Sequence, residues 1–269
     1  MKFHFLKALI LDWAGTAVDY GSLAPVAALQ RVFAENGIAI TSAEARKDMG
    51  VLKKDQIRFI LFGDRVHHAW TALRGHSPSE QDVISLFTEF LPQQAEILSQ
   101  FSEPIPGVPE TVEAWKASGL RIGSTTGYTR ELLDIVAQAA SARGYLPEAS
   151  VTPDEVGAGR PAPLMCYRNA ILLSVYPLSA FVKIGDTPSD IAEGRNAGMW
   201  TIAITRTGNE IGLARQDWDA LSPAEQKTME LDASVRLTSA GAHYVAGSLA
   251  ECSPFLEDID RRLAAGERP

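Results

Sequence analysis

The chain has 269 residues, 46% hydrophobic and 22% charged, with a formal net charge of −8. That length can hold one large core, or a core plus an inserted unit. The acidic balance argues against a sequence-independent nucleic-acid binder, which needs a basic face. Two cysteines, Cys166 and Cys252, cannot make a disulfide framework or a cysteine metal site and are read as buried thiols.

The first predicted element is the apolar run in "KALILD" (7–12), which Asp12 ends. Asp12 also cuts the run too short for a leader, and no small-residue cleavage site follows. No apolar run approaches the roughly 20 residues needed to span a bilayer. A cytoplasmic protein with no membrane partner is expected. From about Gly21 to Ser102 no strand is convincing. "VAALQRVFAENGI" (26–38) has helical spacing with Gly37 as its stop, and "SPSEQDVISLFTEFLPQQAEIL" (77–98) opens on a serine cap. Pro104, Pro106 and Pro109 mark the return to alternation.

Five further strands follow: "LRIGSTT" (120–126), "ASVTPD" (149–154), "FVKIGD" (181–186), "WTIAIT" (200–205) and "AHYVAG" (242–247). Helical stretches are expected at 129–143, 163–175, 189–198 and 249–263. Residues 209–240 read as polar and helical without a clear place. Short apolar strands alternating with helices imply an α/β fold with a doubly wound, Rossmann-like parallel sheet. Residues 1–20 and 103–269 are expected to form this core, and 21–102 an inserted helical cap domain. Ligands bind such sheets at the carboxyl ends of the strands. Asp12, Thr126, Asp154 and Asp186 are all expected at such ends.

Four short stretches carry chemistry. In "DWAGT" (12–16), a carboxylate at a strand end precedes a glycine turn whose N–H groups can contact an anion. Asp at that point can equally start a turn. In "STTGYT" (124–129), the Thr126 hydroxyl beside Gly127 can donate to a phosphoryl oxygen or cap a helix. In "AGRPAP" (158–163), Arg160 suits phosphate oxygens and cannot deprotonate, though a surface arginine would look the same. In "IGDTPSD" (184–190), Asp186 and Asp190 could join Asp12 around Mg²⁺, or simply favour a helix start. The five histidines form no metal set by sequence, and His67 and His68 point to different faces of a helix.

Taken together, order, spacing and strand-end placement resemble the haloacid dehalogenase (HAD) superfamily of aspartyl-nucleophile phosphotransferases along the whole chain. The resemblance implies that Asp12 is the nucleophile, Thr126 binds the transferring phosphoryl group and Arg160 offsets its charge, in a position usually held by Lys. It also implies that Asp186 binds Mg²⁺ and Asp190 supports the metal site. Most phosphatases of that superfamily carry a second Asp where this chain has Ala14. That acid protonates the departing alcohol; Ala14 offers only its backbone carbonyl to the metal. Within the cap, "EARKDMGVLKKDQ" (44–56) carries Lys53 and Lys54. A lysine amine with a lowered pKa can form an imine with an aldehyde, and the neighbouring Lys54 would push that way. An imine beta to a phosphonate turns a carbanion leaving group into an enamine and removes the need for an acid at position 14.

The stretches "DWAGTAVDYGS", "EARKDMGVLK", "GSTTGYTRE", "GRPAP", "IGDTPSD" and "GRNAGMWT" are closely similar to the phosphonatase family of that superfamily, nearly end to end. This implies hydrolysis of the C–P bond of phosphonoacetaldehyde with Mg²⁺, an imine on Lys53, and a homodimer joined through the caps. It places Met49 and Tyr128 along the imine site and brings Gly127 and Tyr128 to the cap on closure. The chain departs from the family pattern at Gln56, where a histidine is expected, and at Ser22, where some members have cysteine. Gln56 cannot titrate but can orient a water. Alternatives are a hydrolase of a related phosphonoaldehyde, a HAD-type phosphate-monoester phosphatase or mutase, a 2-haloacid dehalogenase, and an inactive anion-binding scaffold.

Overall fold

The computed structural model describes residues 2–269. β1 (Ala8–Leu11) is followed by five helices, α1 (Leu23–Glu35), α2 (Ser42–Arg46), α3 (Lys53–Leu61), α4 (Asp64–Arg74) and α5 (Glu80–Phe101). Alternation resumes with α6 (Val108–Ala117), β2 (Arg121–Thr125), α7 (Arg130–Ser141), β3 (Ala149–Val151), α8 (Pro153–Val156) and α9 (Leu164–Leu173). It ends with β4 (Phe181–Gly185), α10 (Pro188–Asn196), β5 (Trp200–Ile204), α11 (Arg215–Ala220), α12 (Pro223–Ser239), β6 (Tyr244–Ala246) and α13 (Ser253–Ala264).

All six expected strands form one parallel sheet in the order β3-β2-β1-β4-β5-β6. β1 is buried along its whole length because it is central and covered on both faces. The strand order reverses between β1 and β4, and such a reversal opens a crevice at the carboxyl edge. Leu11 pairs with Ser124 of β2 and Ile184 of β4. The register therefore brings Asp12, Thr125 and Gly185 to one edge, with Thr126 and Asp186 one residue further on.

The inserted helices have their own apolar core, built from Leu29, Val32, Phe33, Ile57, Leu61, Trp70 and Phe90 among others. α5 does not stay within it. Its last turns place Leu98 in the core of the sheet domain, with Ala95 and Phe101 packed beside it. One 22-residue helix thus ties the cap to the core. Its N-cap is Ser79, whose hydroxyl accepts from Asp82 N–H while Asp82 accepts from the Ser79 backbone.

Two expectations need correction, the end of β3 and the position of Asp154, while the open stretch 209–240 finds its place. β3 stops at Val151, because Thr152 caps α8 and turns the chain. Asp154 consequently sits on α8, where it accepts from the backbone N–H of Arg130 and stays outside the crevice. The unplaced stretch 209–240 resolves into a loop, α11 and α12, with Ser222 and Glu225 forming a capping box. Helix α2 was not foreseen, since it is short with Ala45 its one buried residue, and α4 was read only as the helix on which His67 and His68 point apart.

Cys166 and Cys252 are free and buried, as expected. His243 is a structural residue: its Nδ1 accepts from the Thr201 N–H at 3.0 Å, and burial with nearby Arg195 and Arg262 lowers its pKa to about 4. Among the described residues, no helix is long and apolar enough to cross a membrane.

Candidate active site

Asp12 lies just past β1, buried, with its N–H bonded to Ile184 O at 2.9 Å. Its carboxylate receives Arg160 Nη2 at 2.6 Å. Behind it, Trp13 is fully buried, donates from Nε1 to Ser124 Oγ at 2.9 Å and meets Tyr145 edge-to-face. This apolar backing fixes the strand end on which Asp12 is mounted. The chain then folds sharply, with Trp13 O accepting the N–H groups of Thr16, Ala17 and Val18. Gly15 adopts φ +82 in that turn, and a Cβ there would fall 2.1 Å from Asp186 Oδ2. Only glycine allows the turn to lie so close to the second carboxylate.

Arg160 is not the exposed arginine that a loop residue suggests. It is buried and spends its fork on Asp12, on Thr125 Oγ1 (2.8 Å), on Asp190 Oδ1 (3.0 Å) and on Glu193 Oε2 (3.0 Å). Lys183, wholly buried in β4, adds Nζ contacts to Asp190 Oδ1 at 2.7 Å and Thr125 Oγ1 at 3.0 Å. Thr125, Lys183 and Glu193 were not foreseen from the sequence. The one signal was a lysine inside the otherwise apolar "FVKIG".

Asp186 follows β4. Its Oδ2 accepts the Asn209 N–H at 2.7 Å, and Thr16 Oγ1 lies 3.5 Å from Oδ1. Burial, Asp12 and Asp190 all raise the Asp186 carboxyl well above the ordinary range, against Asn209 and Arg160. Asp12 is raised by burial and by Asp190, and lowered by Arg160 and Lys183. Asp190 is also buried, which would push it up, but Arg160 and Lys183 hold it below the usual value.

The oxygens of Asp12, Asp186 and Asp190 lie within 4.8 Å of one another. All are hard donors of the kind Mg²⁺ takes. Beyond burial, Asp12 and Asp190 raise the Asp186 carboxyl, and a divalent cation between Asp12 and Asp186 would relieve that repulsion, so the residues fit one. Asp12 and Asp186 are the available carboxylate ligands, and Ala14 lines the same cavity. Asp190 is already held by two cations and Thr187 Oγ1 (2.5 Å). It supports the arrangement from behind.

The cap supplies the other wall. Lys53, the first residue of α3, is buried and points inward, while Lys54 is half-buried beside it. Lys53 Nζ donates to Gln56 Oε1 at 2.8 Å and lies 3.4 Å from Met49 Sδ. Gln56 Nε2 donates to Ala45 O at 2.8 Å, which fixes the amide with its oxygen towards Lys53. The Lys53 amine is lowered to about 8, chiefly by burial, with Arg160 adding to the shift and Asp12 and Asp186 opposing it. The neighbouring Lys54, offered by the sequence as the cause, is not responsible.

A cavity of about 20 Å³ is lined by Asp12, Ala14, Met49, Lys53, Thr126, Tyr128, Arg160 and Asp186, with Ser22, Pro25, Gly50, Gly127 and Thr187 completing it. Cap and core are thus in contact over the carboxylates. Thr126 Oγ1 accepts the Tyr128 N–H at 3.2 Å, and the buried Tyr128 hydroxyl has no hydrogen-bond partner. Met49 O accepts from Ser189 Oγ at 3.0 Å across the interface. A Cβ on Gly127 would come within 2.7 Å of the Val51 carbonyl. Gly127→Ala should therefore hold the cap off the core and lower kcat/KM by about 100-fold, with little change in unfolding temperature. Steady-state kinetics beside a thermal melt checks this.

Comparison with known proteins agrees with the geometry. A haloacid dehalogenase-like hydrolase family model matches residues 6–198. The chain is 44% identical to a phosphonoacetaldehyde hydrolase-like protein of Syntrophobacter fumaroxidans, over 98% of this chain and 95% of that one. It is 42% identical to the phosphonoacetaldehyde hydrolase of Nitratidesulfovibrio vulgaris, over 98% and 94% of the two chains. The crystal structure of a phosphonoacetaldehyde hydrolase-like protein from Oleispira antarctica superposes with a TM-score of 0.98 at 41% identity, covering 100% of this chain and 98% of that one. The chain therefore belongs to the haloacid dehalogenase-like hydrolases and, within them, to the phosphonoacetaldehyde hydrolase family.

Proposed function

We propose that this protein hydrolyses the C–P bond of phosphonoacetaldehyde to acetaldehyde and phosphate, through an imine on Lys53 and a phosphorylated Asp12. The observation that carries this reading is the buried, pKa-lowered Lys53 amine in the same cavity as the Asp12 carboxylate, with Ala14 where an acid would serve an ester. The near full-length identity to phosphonoacetaldehyde hydrolases supports the substrate.

The neutral Lys53 amine adds to the aldehyde carbon, and loss of water gives the iminium. Asp12 then attacks phosphorus. An oxygen–phosphorus bond forms as the carbon–phosphorus bond breaks, and the released pair neutralises the iminium to an enamine. Water hydrolyses the aspartyl phosphate, protonation at carbon converts the enamine back to an iminium, and a second water adds to that iminium and frees acetaldehyde and Lys53. On this reading Thr126 and the Arg160 Nη2 group beside Asp12 hold the phosphoryl oxygens. Asp12, Asp186 and the Ala14 carbonyl would hold Mg²⁺, which would supply charge neutralisation at the phosphoryl group when bound. Gln56 keeps the amine aimed into the cavity but carries no proton of its own, so water or substrate must carry it. The size of the cavity implies that the cap lifts to admit substrate and closes to exclude water.

The direct test is phosphate release from phosphonoacetaldehyde with Mg²⁺ and after chelation, beside a generic phosphate ester. Fast, metal-dependent release from the phosphonate alone supports the reading; comparable turnover of the ester supports a phosphatase instead. The pH profile follows from Lys53. Its amine must be neutral to attack and is lowered to about 8. Imine formation should rise with pH from 6 and level above about 8, which borohydride inactivation at fixed substrate measures. Exposed Phe59, Phe62, Leu73 and Ile84 give the cap apolar surface that pairing of two caps would cover, and this supports a homodimer.

A further inference from the structure

Arg46, the last residue of α2, crosses from cap to core without meeting a carboxylate. Nη1 donates to Gly21 O (2.9 Å), Ser22 O (3.3 Å) and Asn209 Oδ1 (3.0 Å), and Nη2 donates to Gly212 O (3.0 Å). Asn209 returns the contact through Nδ2 to Arg46 O at 3.3 Å. The backbone N–H of the same Asn209 holds Asp186 Oδ2 at 2.7 Å. Asn209 is buried, and its loop lies on the core between β5 and α11. One residue therefore touches the cap with its side chain and the metal-site carboxylate with its backbone.

We propose that Arg46 and Asn209 form a latch that couples cap closure to the orientation of Asp186, so that closing the cap completes the metal site. Both are positioning residues and touch neither substrate nor reacting atoms. The inference rests on the reading that Asp186 holds a divalent cation. When the cap lifts, Arg46 leaves Asn209 Oδ1 and Gly212 O together. The loop that aims the Asn209 N–H then loses its ties to the cap. Closing restores both. Coupling of this kind is reciprocal: what closure does for metal affinity, metal does for closure. Mn²⁺ alone, without substrate, should then favour the closed cap.

A plain charge effect has the opposite sign. Arg46 lies near enough to Asp186 for the two charges to interact. Deleting a cation beside a metal site strengthens cation binding. The latch predicts weakening.

The test is Mn²⁺ titration of the full chain without substrate, read by the electron paramagnetic resonance of free Mn²⁺. Arg46→Met and Asn209→Ala should each weaken Mn²⁺ by about tenfold. The double variant should be no weaker than the worse single variant, because both break one link. Asn209→Ala keeps the backbone N–H to Asp186, so its effect reports the lost tie to Arg46. Arg46→Lys, which keeps the charge but not the fork, should also weaken binding and covers the case in which Arg46→Met fails to fold. Hydrogen exchange around residues 42–53 should slow on adding Mn²⁺ to the unmutated protein and not in the variants. Unchanged or tighter Mn²⁺ binding in the variants overturns the latch alone. No Mn²⁺ binding by the unmutated protein overturns the metal reading and the latch with it.

Discussion

Lys53→Met is expected to lower turnover of phosphonoacetaldehyde by at least about a thousandfold, or roughly 4 kcal/mol of transition-state stabilisation. Methionine nearly matches the length of the lysine stem but has no amine, so no imine can form and the carbon leaving group stays a carbanion. The fold should survive. Lys53 is buried with Gln56 Oε1 as its hydrogen-bond acceptor. Losing that donor leaves a buried oxygen unpaired, at about 1–3 kcal/mol. Removing a buried amine also removes its desolvation cost, which partly offsets this. Kinetics and a thermal melt on the same sample separate the two effects. Retention of a tenth of the activity would exclude Lys53 from the chemistry.

Asp12→Asn is expected to abolish phosphate release, by about ten-thousandfold or more, because the amide is not a nucleophile. The shape of the site should persist. An amide oxygen can still accept from Arg160 Nη2, now 2.6 Å from Asp12 Oδ1. Removing the Asp12 charge also relieves Asp186, whose carboxyl it raises. The variant should therefore still form the imine. Borohydride should trap substrate on Lys53 in Asp12→Asn while no phosphate appears. Loss of trapping together with phosphate release would mean that the two groups do not act in sequence.

The sheet was legible because its strands are short, continuous apolar runs, each followed by a turn residue. The register did the rest, since β1 is flanked by β2 and β4 and carries Asp12 to the same edge as Thr126 and Asp186. The cap was legible only as helix. α2 has one buried residue and α4 two, too few for a periodic signal. The site was legible where a residue ends a strand or breaks a pattern, as with Asp12, Asp186 and Ala14. Arg160 could be named, but its burial among Asp12, Asp190 and Glu193 could not. Its partners are 30 to 148 residues away in sequence, and only folding brings them together. Asp154 misled for the converse reason: an apolar run ending in Asp looks alike whether the chain continues as strand or turns into a helix, and Thr152 made it turn. Asn209 carried no signal, because its role depends on a backbone N–H that every residue except proline offers.

The most direct measurement is borohydride reduction of the unmutated protein in the presence of phosphonoacetaldehyde, followed by peptide mass mapping. A reduced two-carbon adduct on Lys53, absent from Lys54, formed while phosphate is released, is the result this account predicts. Undiminished phosphate release with no lysine adduct, or an adduct confined to Lys54, would contradict it.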